Sequence, residues 1–564
     1  MPPARITMPA ILLGILVGGE AMAQQFADRT STRFPSQSVY SNQLSFCDVD
    51  DDGDIDIAFA DGQGYSSAGS ALRAKLYIND GEGYFTDESN ARIPTLGWFR
   101  GVEFGDIDGD GDWDMVLAND FNRLPVLLEN DGDGFFTDVS DQLPGIPLSS
   151  ARAQFADVDQ DGDIDLAFCH SGTSNRFGSN GRPQLYLNDG TGNFTDATAT
   201  NTPNAIVRDQ QDILFFDMDN DLDLDLHVGS RSNNDGGSQL WRNDGGIFTR
   251  VNNALPTDGS TYSYDAGDVD GDGDLDLLGA NSGLSNRELL ILNGGDGTSW
   301  TDVSSNIITN PTADDNDSKF IDFDMDGDLD FVIAALGANT DRFYRNNGNG
   351  SYIQTNNIQT PVNDSSLDIG FADLDGDGAP DCVTAQGEFG NFQNRIYINN
   401  GPVDDIAPNF LALTALSPED GELGPFKVRA LIVDQYSSDR GFMPRSVELM
   451  LSIGTRRSKP VPMSWVGNSI WEGVIPALDP CTLTLEYSVR AEDRAGNVGE
   501  SEVVVVEIGD GCGPDADLNG DGRVNGADLG LMLATWGESG PSDLDGNGVT
   551  NGGDLGLLLA AWTG

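Results

Sequence analysis

The residues with the clearest chemistry are five aspartates in a nonapeptide. Asp48, Asp50, Asp52, Asp54 and Asp56 stand at positions 1, 3, 5, 7 and 9, with Gly53 at position 6. Alternating carboxylates on a tight turn form an oxygen donor set for a hard cation such as calcium. Position 7 gives its backbone carbonyl, and the glycine permits the sharp bend. A single copy is equally an acidic turn held in water, but this one recurs.

Six further copies are present. They are Asp106, Asp108, Asp110, Asp112 and Asp114; Asp157, Asp159, Asp161, Asp163 and Asp165; Asp217, Asp219, Asp221, Asp223 and Asp225; Asp268, Asp270, Asp272, Asp274 and Asp276; Asp322, Asp324, Asp326, Asp328 and Asp330; and Asp373, Asp375, Asp377, Ala379 and Asp381. Two depart from the pattern. Leu222 holds position 6 of the fourth loop, where the turn favours glycine, so the fourth site is expected to be distorted or to lack metal. Ala379 at position 7 is harmless where only the carbonyl binds.

The elements that must position these loops are legible around them. Position 2 is always apolar (Val49, Ile107, Val158, Met218, Val269, Phe323, Leu374), which places it in a core. A short apolar run follows each loop. A second block then alternates and ends in asparagine, as in Leu76, Tyr77, Ile78 and Asn79 before Asp80 and Gly81, a strand and hairpin signal. A third block closes the repeat, as at Phe85. It recurs at Phe136, Phe194, Phe248, Trp300 and Tyr352, and its remaining copy stands at the N-terminus, at Phe26.

Successive loops begin 51 to 60 residues apart, a period suited to one four-stranded sheet per repeat. The displaced Phe26 block supplies the strand that the last repeat lacks. The pattern predicts a mainly β chain whose first part, residues 24–403, is a seven-bladed β-propeller closed by its own N-terminal strand, since closure removes exposed sheet edges.

Loop, strand and closing block in this order resemble FG-GAP/VCBS repeats, also found in integrin α-subunits. The resemblance implies a Ca²⁺ in each loop, held by positions 1, 3, 5, 7 and 9.

Asp404 to Pro408 read as a linker into a second unit, residues 404–510. Alternation in Phe426–Val433, and strands expected over 446–452, 469–475, 483–491 and 502–508, predict a β-sandwich. The stretch from Tyr487 to Asn497 is similar to the end of bacterial Ig-like or fibronectin-like modules, implying a spacer or binding role. Arg456, Arg457 and Lys459 form a basic turn.

The C-terminal residues 513–564 carry a longer loop twice, with oxygen side chains at positions 1, 3, 5, 9 and 12. These are Asp517, Asn519, Asp521, Asn525 and Asp528, then Asp543, Asp545, Asn547, Asn551 and Asp554; Arg523 and Val549 hold position 7, where a carbonyl serves. Apolar helices are expected over 529–536 and 555–562. Loop plus helix, twice, resembles a type I dockerin, a small α-helical EF-hand pair. The resemblance implies Ca²⁺-dependent docking to a cohesin-like or other surface receptor. Gly526, Ala527, Gly552 and Gly553 stand at the receptor-selecting positions of that family and offer little for recognition.

Composition bounds the function. With 92 acidic against 30 basic residues, the net charge of −62 disfavours nucleic acid and anionic membrane. Residues 1–23 read as a secretory signal with an Ala21-Met22-Ala23 cleavage site, and no later stretch is long and apolar enough to span a bilayer. Five cysteines are too few for a disulfide scaffold. Cys47, Cys169 and Cys382 read as buried thiols, while Cys481 and Cys512 are placed to pair. No nucleophile elbow, zinc helix or phosphate loop is present, and His170 and His227 read as packing residues.

The expected protein is a secreted calcium-binding adhesion protein, not an enzyme, with a protein or glycan ligand on its propeller. The alternative is a lectin or a polysaccharide lyase or hydrolase. Trp98, Phe99 and Arg100 are either sugar-stacking residues or rim packing.

Overall fold

The computed structural model describes residues 24–62, 68–170, 180–231, 237–252, 254–255, 260–282, 286–336, 340–362, 364–387, 392–417, 423–435, 443–453, 456–478, 484–508 and 516–563. Residues 1–23, expected to be a secretory signal, and Cys481 and Cys512, expected to pair, lie outside them. The chain is mainly β. No helix among the described residues is long and apolar enough to cross a membrane.

Among the described residues of 26–399 there are seven four-stranded antiparallel sheets and one two-stranded pairing, Asn180–Gly181 with Val207–Arg208. In the first, Ser41–Cys47, Asp56–Asp61, Lys75–Asn79 and Phe85–Asp87 pair in sequence order. Five more sheets repeat this meander. The last takes Ser366–Ala372, Asp381–Gln386 and Arg395–Asn399 from the end of the repeats and Phe26–Asp28 from the N-terminus, with Phe26 opposite Asn399. The first strands of successive sheets pack side by side, and Ser366–Ala372 packs against Ser41–Cys47, so the sheets form a closed circuit.

The alternation of each strand explains its burial. Ile57, Phe59 and Tyr77 fill the space toward one neighbouring sheet, and Ala58 and Leu76 fill the space toward the other. All seven position-2 side chains are buried, which pins each acidic loop to its sheet. The outer strands are short. Phe85–Asp87 has three residues because Asp87 accepts the Ser89 N–H and turns the chain into a single helical turn, Ser89–Arg92.

A second unit has two sheets over one core. One holds Asn409–Leu413, Phe426–Val433, Ile470–Ile475 and Ser464–Gly467; the other is built on Ser446–Ile453 and Thr484–Glu492. Val428, Ala430 and Ile432 face Leu449, Leu485 and Val489 across this core. Its strands at Asn409–Leu413, Ser464–Gly467 and Val498–Glu500 were not legible in the sequence pattern. Asp404 is no free tether: its N–H donates to the Gly378 carbonyl and its own carbonyl accepts from Asn497.

The terminal helices are Gly526–Ala534 and Gly552–Ala560, each starting three residues and ending two residues earlier than the apolar pattern suggests. Asn525 and Asn551 cap them, and Asp528 and Asp554 return the bond to the cap N–H, completing two capping boxes.

Candidate metal centres

Each nonapeptide is folded by its own carboxylates. In the first loop Asp48 accepts the Gly53 N–H at 3.0 Å and Asp52 accepts the Asp54 N–H at 3.0 Å. Asp56 is fully buried at the start of its strand. It accepts Val49 N–H at 3.1 Å and Asn79 N–H at 2.8 Å. The same bonds recur in the second loop, where Asp114 accepts from Ile107 and Asn130.

Positions 1, 3 and 9 converge. In the triads Asp48/Asp50/Asp56, Asp106/Asp108/Asp114, Asp157/Asp159/Asp165, Asp217/Asp219/Asp225 and Asp268/Asp270/Asp276, one oxygen from each residue lies within 4.8 Å of the others. Position 5 is turned to the backbone in every loop; in the seventh, Asp377 accepts the Ala379 N–H at 2.9 Å.

The fourth loop is not distorted, contrary to the expectation from Leu222. Its residue takes the left-handed φ of +66° and still donates to Asp217 at 2.9 Å. The side chain is buried with Leu431, Val466 and Ile470 of the second unit. That contact offsets a backbone strain of about 1–2 kcal/mol for a non-glycine residue.

Crowding these charges into dry surroundings shifts their protonation. Burial pushes Asp56, Asp114, Asp165 and Asp276 up to about 8, and Asp330 up to about 9. One oxygen on each of Asp50, Asp219, Asp324 and Asp375, all at position 3, is buried without a hydrogen-bond partner among the described residues. A cation at the triad would satisfy such orphaned lone pairs and hold the acids ionised, so the residues fit an oxygen-ligated divalent ion.

Arginines partly fill that role. Arg92 reaches Asp50 at 3.1 Å, Arg33 reaches Asp375 at 3.0 Å, and Arg345 reaches Asp324 at 2.6 Å. The second unit adds Arg429, whose guanidinium lies 2.5 Å from Asp157 and donates to the Leu222 carbonyl at 3.2 Å. Arg494 donates to the Gly53 carbonyl at 2.7 Å. The two-sheet unit therefore roofs several acidic loops and leaves the opposite ends of the inner strands uncovered by these contacts.

The asparagine ending each second block does more than turn a hairpin. Nδ2 of Asn130, Asn188, Asn243 and Asn293 donates to the position-2 carbonyl of the preceding loop, at Val49, Ile107, Val158 and Met218. Asn79 does the same to Leu374, tying the first sheet to the seventh at 2.9 Å. These staples were missed in the sequence; the signal was that asparagine ends all seven blocks, more than a turn requires.

The remaining candidates are packing residues. Cys47, Cys169 and Cys382 are buried and form no disulfide among the described residues. His227 is fully buried against Tyr264, and burial lowers its pKa to about 3. His170 accepts the Ser149 N–H. Phe99 is buried in the core and Arg100 lies beside Asp120 at 3.8 Å. Trp98 carries the Arg123 guanidinium on its ring, so this trio offers no open stacking platform.

A family model of FG-GAP-like repeats matches residues 48–117, 106–168, 217–279 and 322–384. The chain thus carries four FG-GAP-like repeats in a mainly β architecture. Three crystal structures are similar at low identity. A protein from Lactobacillus plantarum has TM-score 0.38 and 12% identity, over 58% of this chain and 87% of its own. A Bacteroides fragilis protein has TM-score 0.41 and 11% identity, over 59% and 87%. The V. cholerae biofilm matrix protein Bap1 has TM-score 0.33 and 14% identity, over 86% and 76%. No curated protein matches in sequence.

Proposed function

We propose that this chain is an exported, calcium-stabilised binding protein. Its seven sheets are the blades of a propeller, its two-sheet unit is an Ig-like module, and its C-terminal pair is a dockerin-like anchor for a larger extracellular assembly. Ca²⁺ cements the blade loops through positions 1, 3 and 9 and the position-7 carbonyl.

The observation that carries the attachment reading is the C-terminal helix pair. Leu531, Leu533 and Trp536 are exposed on the first helix segment, and the equivalent Leu557, Leu559 and Trp562 are exposed on the second. A small unit that spends six large apolar side chains on its surface, twice in the same register, has a partner surface to cover. The internal core keeps only a few residues, among them Met532 and Leu558.

The test is capture of the full chain by a panel of immobilised type I cohesin modules, with calcium and with chelator. Calcium-dependent capture that is lost in a Trp536→Ser, Trp562→Ser double variant is expected. Failure of every module to retain the chain in calcium overturns the docking claim and leaves the blade cement to be judged separately.

A further inference from the structure

Where the roof meets the first two acidic loops it leaves a cleft of about 270 Å³. We infer that this cleft binds a neutral saccharide. The inference rests on the binding-protein reading above and names its ligand class.

The walls come from both units. Trp113 holds position 8 of the second loop, where the other repeats carry Ile55, Ile164, Leu224, Leu275, Leu329 or Pro380. Ile55, Ile164, Leu224, Leu275 and Pro380 are buried, whereas Trp113 is half-buried, packing on the core of its sheet and lining the cleft. Its ring centroid lies 5.7 Å from that of Trp465. Trp465 stands directly opposite Trp471 in adjacent strands, so both indoles emerge from the same face of their sheet. Three tryptophans thus meet in one cleft.

The polar groups select the ligand. Trp465 Nε1 is taken by the Asn468 carbonyl, whereas the buried Trp471 Nε1 has no acceptor among the described residues. Asp51 and Asp112 supply carboxylates, one at position 4, outside the metal-binding positions, and one at position 7, which gives the ion only its carbonyl. Arg494 donates to the carbonyls of Gly53 and Met443; the exposed Arg445 donates to that of Arg494 and faces the Glu492 carboxylate at 3.8 Å.

The cleft therefore offers flat apolar indole faces and carboxylate acceptors beside two arginines. A pyranose presents a C–H face to an indole and hydroxyls that both donate and accept. An anionic sugar or a phosphate would meet Asp51 and Asp112, whose carboxylates are not used by the loop cation, in a strongly acidic chain. A purely apolar ligand would desolvate the same carboxylates without return.

The experiment is a calorimetric and tryptophan-fluorescence titration of the calcium-loaded full chain. The probes are cellohexaose, xylohexaose and mannohexaose, with hexagalacturonate as the acidic probe. At least one neutral hexasaccharide is expected to bind and shift the indole emission. Trp113→Ala and Trp465→Ala should each weaken it about ten-fold, as stacking losses of that size do. Where a variant melts early, saturation-transfer NMR on the unaltered chain reads the sugar C–H contact directly. No neutral binding at millimolar sugar, binding only of the acid, or affinity unchanged in both variants overturns the inference. Calcium uptake is measured on the same sample, so loss of sugar binding with calcium uptake intact sinks this inference alone.

Discussion

The third and fifth acidic loops share one motif and differ in what lies over them. In the fifth, Asp268 accepts the N–H groups of Gly271 and Gly273, and a side chain added at either glycine would meet nothing. In the third, Asp157 is fully buried under the second unit and holds Arg429, which is also bound by Glu472 at 2.8 Å. The fourth loop, its neighbour, adds the apolar Leu222 to the same contact. The difference teaches that one turn serves two ends. Open to water it presents its carboxylates as a candidate cation cradle; covered, it also takes an arginine from the second unit, which supplies positive charge in advance.

The largest expected effect is removal of calcium. Each filled site stabilises by about 2.7 kcal/mol when free ion is about 100-fold above Kd, so exhaustive chelation should lower the melting temperature strongly. Nine divalent ions would cancel eighteen of the sixty-two net negative charges. The pH dependence should change sign with the metal. Burial raises Asp56, Asp114, Asp165 and Asp276 to about 8 in the metal-free fold and lifts the other position-9 acids in the same direction, against about 3.9 unfolded. A raised pKa favours the folded state while the acid is protonated. Stability of the metal-free chain is then greatest below about pH 4 and declines toward about pH 8. Bound calcium holds the acids ionised and reverses that slope. Scanning calorimetry at several pH values checks both.

Next in size is Arg429→Met. It leaves Asp157 buried without its cation while Glu472 keeps Lys427, at a cost of about 3 kcal/mol in urea unfolding. The same change should tighten calcium at the third loop and leave the fifth unaltered. Equal tightening at both would erase the comparison.

Leu222→Gly relieves a left-handed residue but empties a buried site, for a net loss of about 1–3 kcal/mol. The mirror change, Gly273→Leu, gains no contact and costs only strain, about 1–2 kcal/mol. Urea unfolding of the two variants separates covered loop from open loop, because only Leu222→Gly should loosen the second unit. The smallest effect is Lys427→Ala. This half-exposed lysine bonds the Gln160 carbonyl and Glu472, and its loss should cost under about 1 kcal/mol.

Much of the repeat frame was legible because spacing alone encodes it. Carboxylates two residues apart, a fixed apolar second position and a displaced Phe26 block are local facts of the chain. What stayed hidden is long-range. Asn79 reads as a turn residue, and nothing local says that its Nδ2 reaches Leu374 across the closed circuit. Arg429 reads as a solvated position of an alternating strand, yet its strand is laid against Asp157. Leu222 looks like a defect until the side chains from the other unit are placed on it. Asn525 and Asn551 read as loop oxygens, which concealed their role as helix caps and shifted the helix starts.

The central claim is that the seven loops are cation sites of unequal character. The most direct measurement is anomalous diffraction near the calcium edge from crystals of the full chain grown in millimolar calcium. The account predicts a peak at each triad of positions 1, 3 and 9, weakest at Asp157, Asp159 and Asp165 beneath Arg429. Empty triads in saturating calcium would contradict it, and a third site as full as the fifth would remove the distinction between covered and open loops.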